Sequence, residues 1–205
     1  MGLLKREMSH VRDFYRSEFR PVLKSTAVSF LVLAVIGFIA GMFMPHIAEN
    51  FFERFAQQIL DAGIIQDDGT VSASVLFVNN FRAAFYTMLY GFIPFVFLPA
   101  LSLGLNSLML GLFAAYYIHH DMPIMQYIMG ILPHGIFELP ALIIAVALGL
   151  YLCRYITDVL RHRSSGGLLL AISNSSRILL LTTVPLLALA SIIEAYITPL
   201  IMNLF

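Results

Sequence analysis

The stretch Leu132-Pro133-His134-Gly135-Ile136-Phe137-Glu138-Leu139-Pro140-Ala141 decides how the rest of the chain is read. Prolines and a glycine interrupt a long apolar run, and a histidine and a glutamate sit inside it. A lipid-spanning segment keeps its backbone bonded to itself and avoids charge; this one does neither. Broken backbone and ionisable side chains at membrane depth are tolerated only where protein or trapped water surrounds them. The stretch therefore reads as the polar heart of an all-α, polytopic membrane helical bundle. Its own helix is expected as two half-helices separated near Pro133–Pro140 rather than one kinked rod.

Composition supports that class. Of 205 residues, 60% are hydrophobic, the mean hydropathy is +0.86, and 12% are charged, against about 25% charged in a soluble domain. Cys153 is the single cysteine, which excludes an intrachain disulfide and a cysteine-based metal site. It reads as a small hydrophobe. Charges extend to Lys24 before any apolar run begins, so no cleavable signal is expected, and that run is long enough to span.

Working outward, residues 1–25 form an amphipathic segment. Leu4, Met8, Val11, Tyr15, Phe19 and Val22 fall on one helical stripe, with Lys5, Arg6, Arg12, Arg16, Arg20 and Lys24 around it. This pattern suits an interfacial helix on the cytoplasmic leaflet, where each cation near anionic lipid contributes about 1 kcal/mol; a partner-docking helix would show the same stripe, and the membrane surface is the favoured reading. A single transmembrane domain follows over 26–205, with about five spans at 26–44, 74–101, 108–118, 124–155 and 177–201. Gly37 and Gly41 have the small-xxx-small spacing of close helix contacts, within the chain or between copies. The segment 45–73 does not span. Ile47, Phe51, Phe55 and Ile59 make an apolar stripe beside Glu49, Glu53, Gln57 and Asp61, predicting a second surface helix, and Gln66-Asp67-Asp68-Gly69 makes a turn. Pro94 and Pro99 predict kinks towards the end of the second span. Leu103-Gly-Leu-Asn-Ser107 reads as the turn into a short third span, and the fourth and fifth are joined through a Gly166-Gly167 loop.

Charge orients this layout. Lys and Arg precede the first span and recur at Arg154, Arg161, Arg163 and Arg177, whereas 45–73 holds only Arg54 against Glu49, Glu53, Asp61, Asp67 and Asp68. By the positive-inside rule the N-terminus is cytoplasmic and the C-terminus extracytoplasmic, in the cytoplasmic membrane.

Counting depth at 1.5 Å per residue brings Asn79, Asn80, Arg82, His134, Glu138 and Glu194 into one slab in the outer half of the bundle. An unpaired charge at the bilayer centre costs about 2.5–3.5 kcal/mol even on lenient scales, so mutual pairing is expected, with Arg82 as counter-ion to Glu138, Glu194 or both. Three readings compete. The cluster locks the helices together as a buried network; or it is a hydrated site of a small-solute permease or channel. Or it is catalytic, with His134, Glu138 and Glu194 as metal ligands of an intramembrane hydrolase. Against metal stand the doubtful continuity of the helix carrying His134 and Glu138, the lack of a second histidine nearby, and the positive charge of Arg82. No Ser/His/Asp arrangement, phosphate loop or nucleic-acid patch is present, and no cofactor is expected.

Val78-Asn-Asn-Phe-Arg-Ala-Ala84, Pro133-His-Gly-Ile-Phe-Glu-Leu-Pro-Ala141 and Ala190-Ser-Ile-Ile-Glu-Ala-Tyr-Ile-Thr-Pro199 carry a further signal. Together they resemble the stage II sporulation protein M family. A weaker match is Leu103-Gly-Leu-Asn-Ser-Leu-Met-Leu-Gly111, where Ser107 replaces the usual glycine. The resemblance covers roughly 20–201 and holds all the residues of the polar slab, with Asn106 and Thr198 as secondary candidates. It implies a membrane protein of five or so helices. Some members act in endospore engulfment with a transglycosylase-like and an amidase-like peptidoglycan hydrolase, as anchor rather than hydrolase; many relatives occur in organisms that never sporulate. The expected function is thus a self-associating membrane scaffold for extracytoplasmic partners, docking on the acidic 45–73 face.

Overall fold

The computed structural model describes residues 12–66, 70–162 and 167–204. The first part of the expected surface helix, the tip of the Gln66–Gly69 turn, and Arg163 to Gly166 lie outside the described residues. The described chain is helical, with one isolated antiparallel bridge between Ile65 and Val71. Its helices are α1 (Arg12–Phe43), α2 (Pro45–Asp61), α3 (Ala73–Leu89, extended by a 3-10 turn at Tyr90–Phe92), α4 (Pro99–His119), α5 (Ile124–His162) and α6 (Leu168–Met202). Among the described residues, α1, α4, α5 and α6 are long and apolar enough to cross a membrane. The remaining expected span, α3, is shorter.

Several boundaries differ from expectation. Residues 12–24 are not a separate surface helix but the beginning of α1. Phe14 and Phe19 are buried against Met88, Leu148, Tyr151 and Leu152, and Tyr151 Oη donates to Glu18 Oε2 at 2.6 Å. Of the expected stripe, Phe19 is buried and Val22 half-buried while Tyr15 is exposed, as are Arg12, Arg16, Arg20 and Lys24; Leu4, Met8 and Val11 lie outside the described residues. The second span ends early. Ile93, extended ahead of Pro94, stops the helix, and Pro99 at the first helical positions starts the next. The connection is 93–98, not 103–107, and α4 has full length instead of being a short third span. Leu103–Ser107 is helical, and its polar side chains are satisfied by bonding back to the preceding turn. Ser107 Oγ donates to Leu103 O at 2.6 Å, and Asn106 Nδ2 donates to Ser102 O at 2.8 Å. The last span begins at Leu168, after Gly167 at φ 92°, nine residues before the expected start at Arg177.

The prolines act in an unexpected way. Helix α5 runs unbroken through Pro133 and Pro140, so the expected half-helices are one helix. Seven residues bring the two prolines to one helical face, and contacts with neighbouring helices hold the chain helical despite the lost donors. Elsewhere the chain widens instead. The π segments Tyr15–Phe19, Leu179–Thr183 and Ile193–Ile197 precede Pro21, Pro185 and Pro199 respectively. A proline ring crowds the carbonyl four residues back and offers it no donor. An i→i+5 turn just upstream accommodates both effects.

Small residues set the helix crossings. Gly37 and Gly111 place the backbones of α1 and α4 in contact: a Cβ added at Gly111 would meet Ala34 O, and one at Gly37 would meet Leu108 O. The Gly37/Gly41 motif is consumed inside the chain, so it supplies no face for a second copy. Between α3, α4 and α5, a Cβ at Gly149 would lie 2.5 Å from Thr87 O and 2.7 Å from Pro99 Cγ.

The two ends of the bundle differ in charge. At one end the start of α1, the 93–98 connection and the end of α5 meet: Phe95 N–H donates to Thr157 Oγ1 at 3.0 Å, and the Arg161 guanidinium lies 5.7 Å from the Phe95 ring centre. At the other, α2 folds back on α4. Phe52 stacks on Tyr116 with centroids 4.0 Å apart, and Phe55 meets Phe113 at 5.1 Å. The amphipathic helix expected over this segment is present, with its apolar face against protein and Glu49, Glu53 and Asp61 exposed.

Candidate functional site

The site is assembled from α3, α5 and α6. On α5, His134 and Glu138 are one turn apart on the face that continues into the fully buried Ala141 and Ala145. The helical continuity of α5 makes them neighbours, with His134 Nε2 3.9 Å from Glu138 Oε2. On α6, Glu194 lies in the π segment Ile193–Ile197. There Ile193 O accepts the backbone N–H of Thr198 and, at 3.3 Å, its hydroxyl. From α3, Asn80 Nδ2 donates to Glu138 Oε1 at 3.2 Å.

These contacts leave a defined set of free electron pairs. With the Thr198 hydroxyl hydrogen directed at Ile193 O, its oxygen accepts from His134 Nδ1 at 3.3 Å. That assignment leaves the His134 Nε2 lone pair on the Glu138 side. Asn80 occupies one oxygen of Glu138 and leaves the other towards the imidazole. One ligand atom each from His134, Glu138 and Glu194 lie within 4.8 Å of one another. The His134 and Glu138 side chains retain 14% and 30% of their exposure, so the site is recessed but reachable from outside the bundle.

Not every residue of the expected slab joins it. Asn79 and Arg82 are exposed, on the side of α3 away from Leu76, Asn80, Ala84 and Thr87. Arg82 was expected to neutralise Glu138 or Glu194. Among the described residues no ion pair joins a lysine or arginine to either carboxylate. Two residues along a helix is about 200° of rotation, so Asn80 and Arg82 cannot both face the bundle. Asn106 is committed to its own helix on α4. Thr198 is more central than its secondary ranking in the sequence. The available signal was its spacing, one turn beyond Glu194 and next to Pro199.

The division of α3 gives contrasting expectations. Asn80→Ala removes the donor to Glu138 and should lower stability in detergent by about 1–3 kcal/mol. Arg82→Gln should stay within about 0.5 kcal/mol, as for exposed positions generally. Thermal unfolding of the two variants side by side checks this, and an equal loss in both would restore Arg82 as the counter-ion.

Comparison with protein families gives a match to the model described as SpoIIM, stage II sporulation protein M, over residues 27–199. The chain belongs to this family. Comparisons with curated proteins and with solved structures gave no match. The family match runs from the early part of α1 to Pro199 and includes every residue of the site. As a member of the stage II sporulation protein M family with several helices apolar enough to span, the chain is a multi-pass membrane protein.

Proposed function

We propose that this member of the stage II sporulation protein M family is a membrane scaffold that anchors extracytoplasmic partner proteins on α2. The observation that carries the reading is the disposition of α2. Its aromatic face is used up against Phe113 and Tyr116, and its acidic face, with Glu49, Glu53 and Asp61, points away from the bundle. An amphipathic helix held in this way offers a charged surface, complementary to a basic patch on a partner. The opposite end, with Arg12, Arg16, Arg20, Lys24, Arg154 and Arg161, has the charge of a cytoplasmic face, which supports an extracytoplasmic α2. The partners are of the envelope-enzyme kind that the family resemblance implies.

Cys153 is buried, so a thiol introduced at Glu53 is the reactive one. A membrane-impermeant, thiol-directed photocrosslinker applied to intact cells carrying Glu53→Cys should label the chain and, on illumination, yield a discrete heavier adduct. The adduct should disappear when Glu49→Lys and Asp61→Lys are added. Absence of labelling would refute the orientation, and labelling without an adduct would refute the scaffold.

A further inference from the structure

The site on α3, α5 and α6 holds two carboxylates and an imidazole, and among the described residues no lysine or arginine pairs with either carboxylate. We propose that His134 Nε2, Glu138 and Glu194 bind a divalent first-row transition cation, with Asn80 and Thr198 fixing the orientation of the ligands. This inference is independent of the scaffold reading.

The donor set is the first argument. A neutral imidazole nitrogen and two carboxylate oxygens suit zinc or manganese, whereas magnesium and calcium favour oxygen alone. His134 Nε2 lies 3.9 Å from Glu138 Oε2, and one imidazole nitrogen and one oxygen of each carboxylate lie within 4.8 Å of one another. A tetrahedral ion at about 2.0–2.2 Å from each holds them about 3.4 Å apart, so closure needs up to about 1.4 Å of side-chain movement. Three protein ligands leave a fourth position for water.

The supporting contacts are the second. A metal-bound histidine generally donates its other N–H to a hydrogen-bond acceptor, which fixes the tautomer. Thr198 occupies that role towards His134 Nδ1, and Asn80 anchors the outer oxygen of Glu138. Charge balance is the third. Two carboxylates this close within a membrane-buried segment repel each other and are costly to desolvate. A dication cancels their combined charge, and Arg82, which would have opposed it, faces away. Two of the three objections that the sequence raises against a metal, the broken helix and the nearby arginine, are removed by the fold.

The test uses full-length protein purified without a histidine tag in detergent, stripped with chelator and titrated with Zn²⁺ or Mn²⁺ alone. About one equivalent per chain should bind with a well-defined Kd. His134→Ala and Glu194→Gln should abolish the site, and the near-isosteric Thr198→Val should retain it with a Kd raised roughly 10–100-fold. His120→Ala with Asp121→Asn, in the exposed turn after α4, should change nothing. Folded wild-type protein that binds neither ion would overturn the proposal, as would binding that survives His134→Ala and Glu194→Gln or is lost with His120 and Asp121. Should the ligand variants fail to fold, the wild-type titration and Thr198→Val decide: an unchanged Kd in Thr198→Val then overturns it.

Discussion

Gly111→Val is expected to separate α1 from α4 and to remove most of the folded protein from detergent extracts. A Cβ at this position meets Ala34 O and lies 2.9 Å from Gly37 C, so the obstruction is backbone on the facing helix and no rotamer relieves it. Overpacking a well-packed interior costs about 1–3 kcal/mol when side chains can adjust. Here two backbones must part along a crossing that has small residues at Gly37, Gly41 and Ala115, so the loss should reach about 3 kcal/mol or more. Gly104, two turns earlier on the same helix, has nothing within 4 Å of an added Cβ. Gly104→Ala should therefore be neutral, or stabilising by up to about 1 kcal/mol through helix propensity. Thermal unfolding of the two variants in one detergent gives the comparison. Equal stability would mean that the α1–α4 contact contributes little.

Ala141→Leu is expected to have the next largest effect and to reach the polar site. Ala141 has 0% exposure and packs with Ala84, Ala145 and Leu187, where α3, α5 and α6 converge. It follows Glu138 by three residues on the same face, so it sets how closely α6 approaches α5 near Glu194. The extra carbons should cost about 1–3 kcal/mol and widen the distance between Glu138 and Glu194. Ile136, 58% exposed on the same helix, provides the control, since Ile136→Leu should leave stability within about 0.5 kcal/mol. A paired measurement of unfolding temperature and Zn²⁺ affinity separates the two consequences. Retention of both in Ala141→Leu would show that α5 and α6 are not held at this distance by packing.

Much of the site was legible before any tertiary contact was known. His134 and Glu138 stand out as ionisable groups in an apolar run, and Glu194 as the acid of the last one, because such residues are expensive in a membrane. The all-helical membrane class and the amphipathic α2 follow from hydropathy and period. Depth counting, however, reports only height along the membrane normal. Asn79, Asn80 and Arg82 share a height, and only rotation about α3 separates Asn80, which meets Glu138, from the exposed pair. Proline was the other source of error. Pro133 and Pro140 suggested a break that α5 does not have, whereas Pro94 and Pro99 bound a real connection that was placed several residues later. A proline removes one donor; whether the helix ends there depends on what else packs around it.

By itself, then, the amino-acid sequence determined a helical membrane protein of the stage II sporulation protein M type, basic at one end and acidic at the other, with a small set of costly polar residues in its spans. The family type rests on the motifs; the other properties follow from solvation, which acts on each segment separately. The tertiary structure alone decided that Arg82 turns outward, that Thr198 orients His134, and that Gly37 meets Gly111 within one chain. These depend on helix rotation and on which carbonyls a neighbouring helix approaches, and no single segment encodes either.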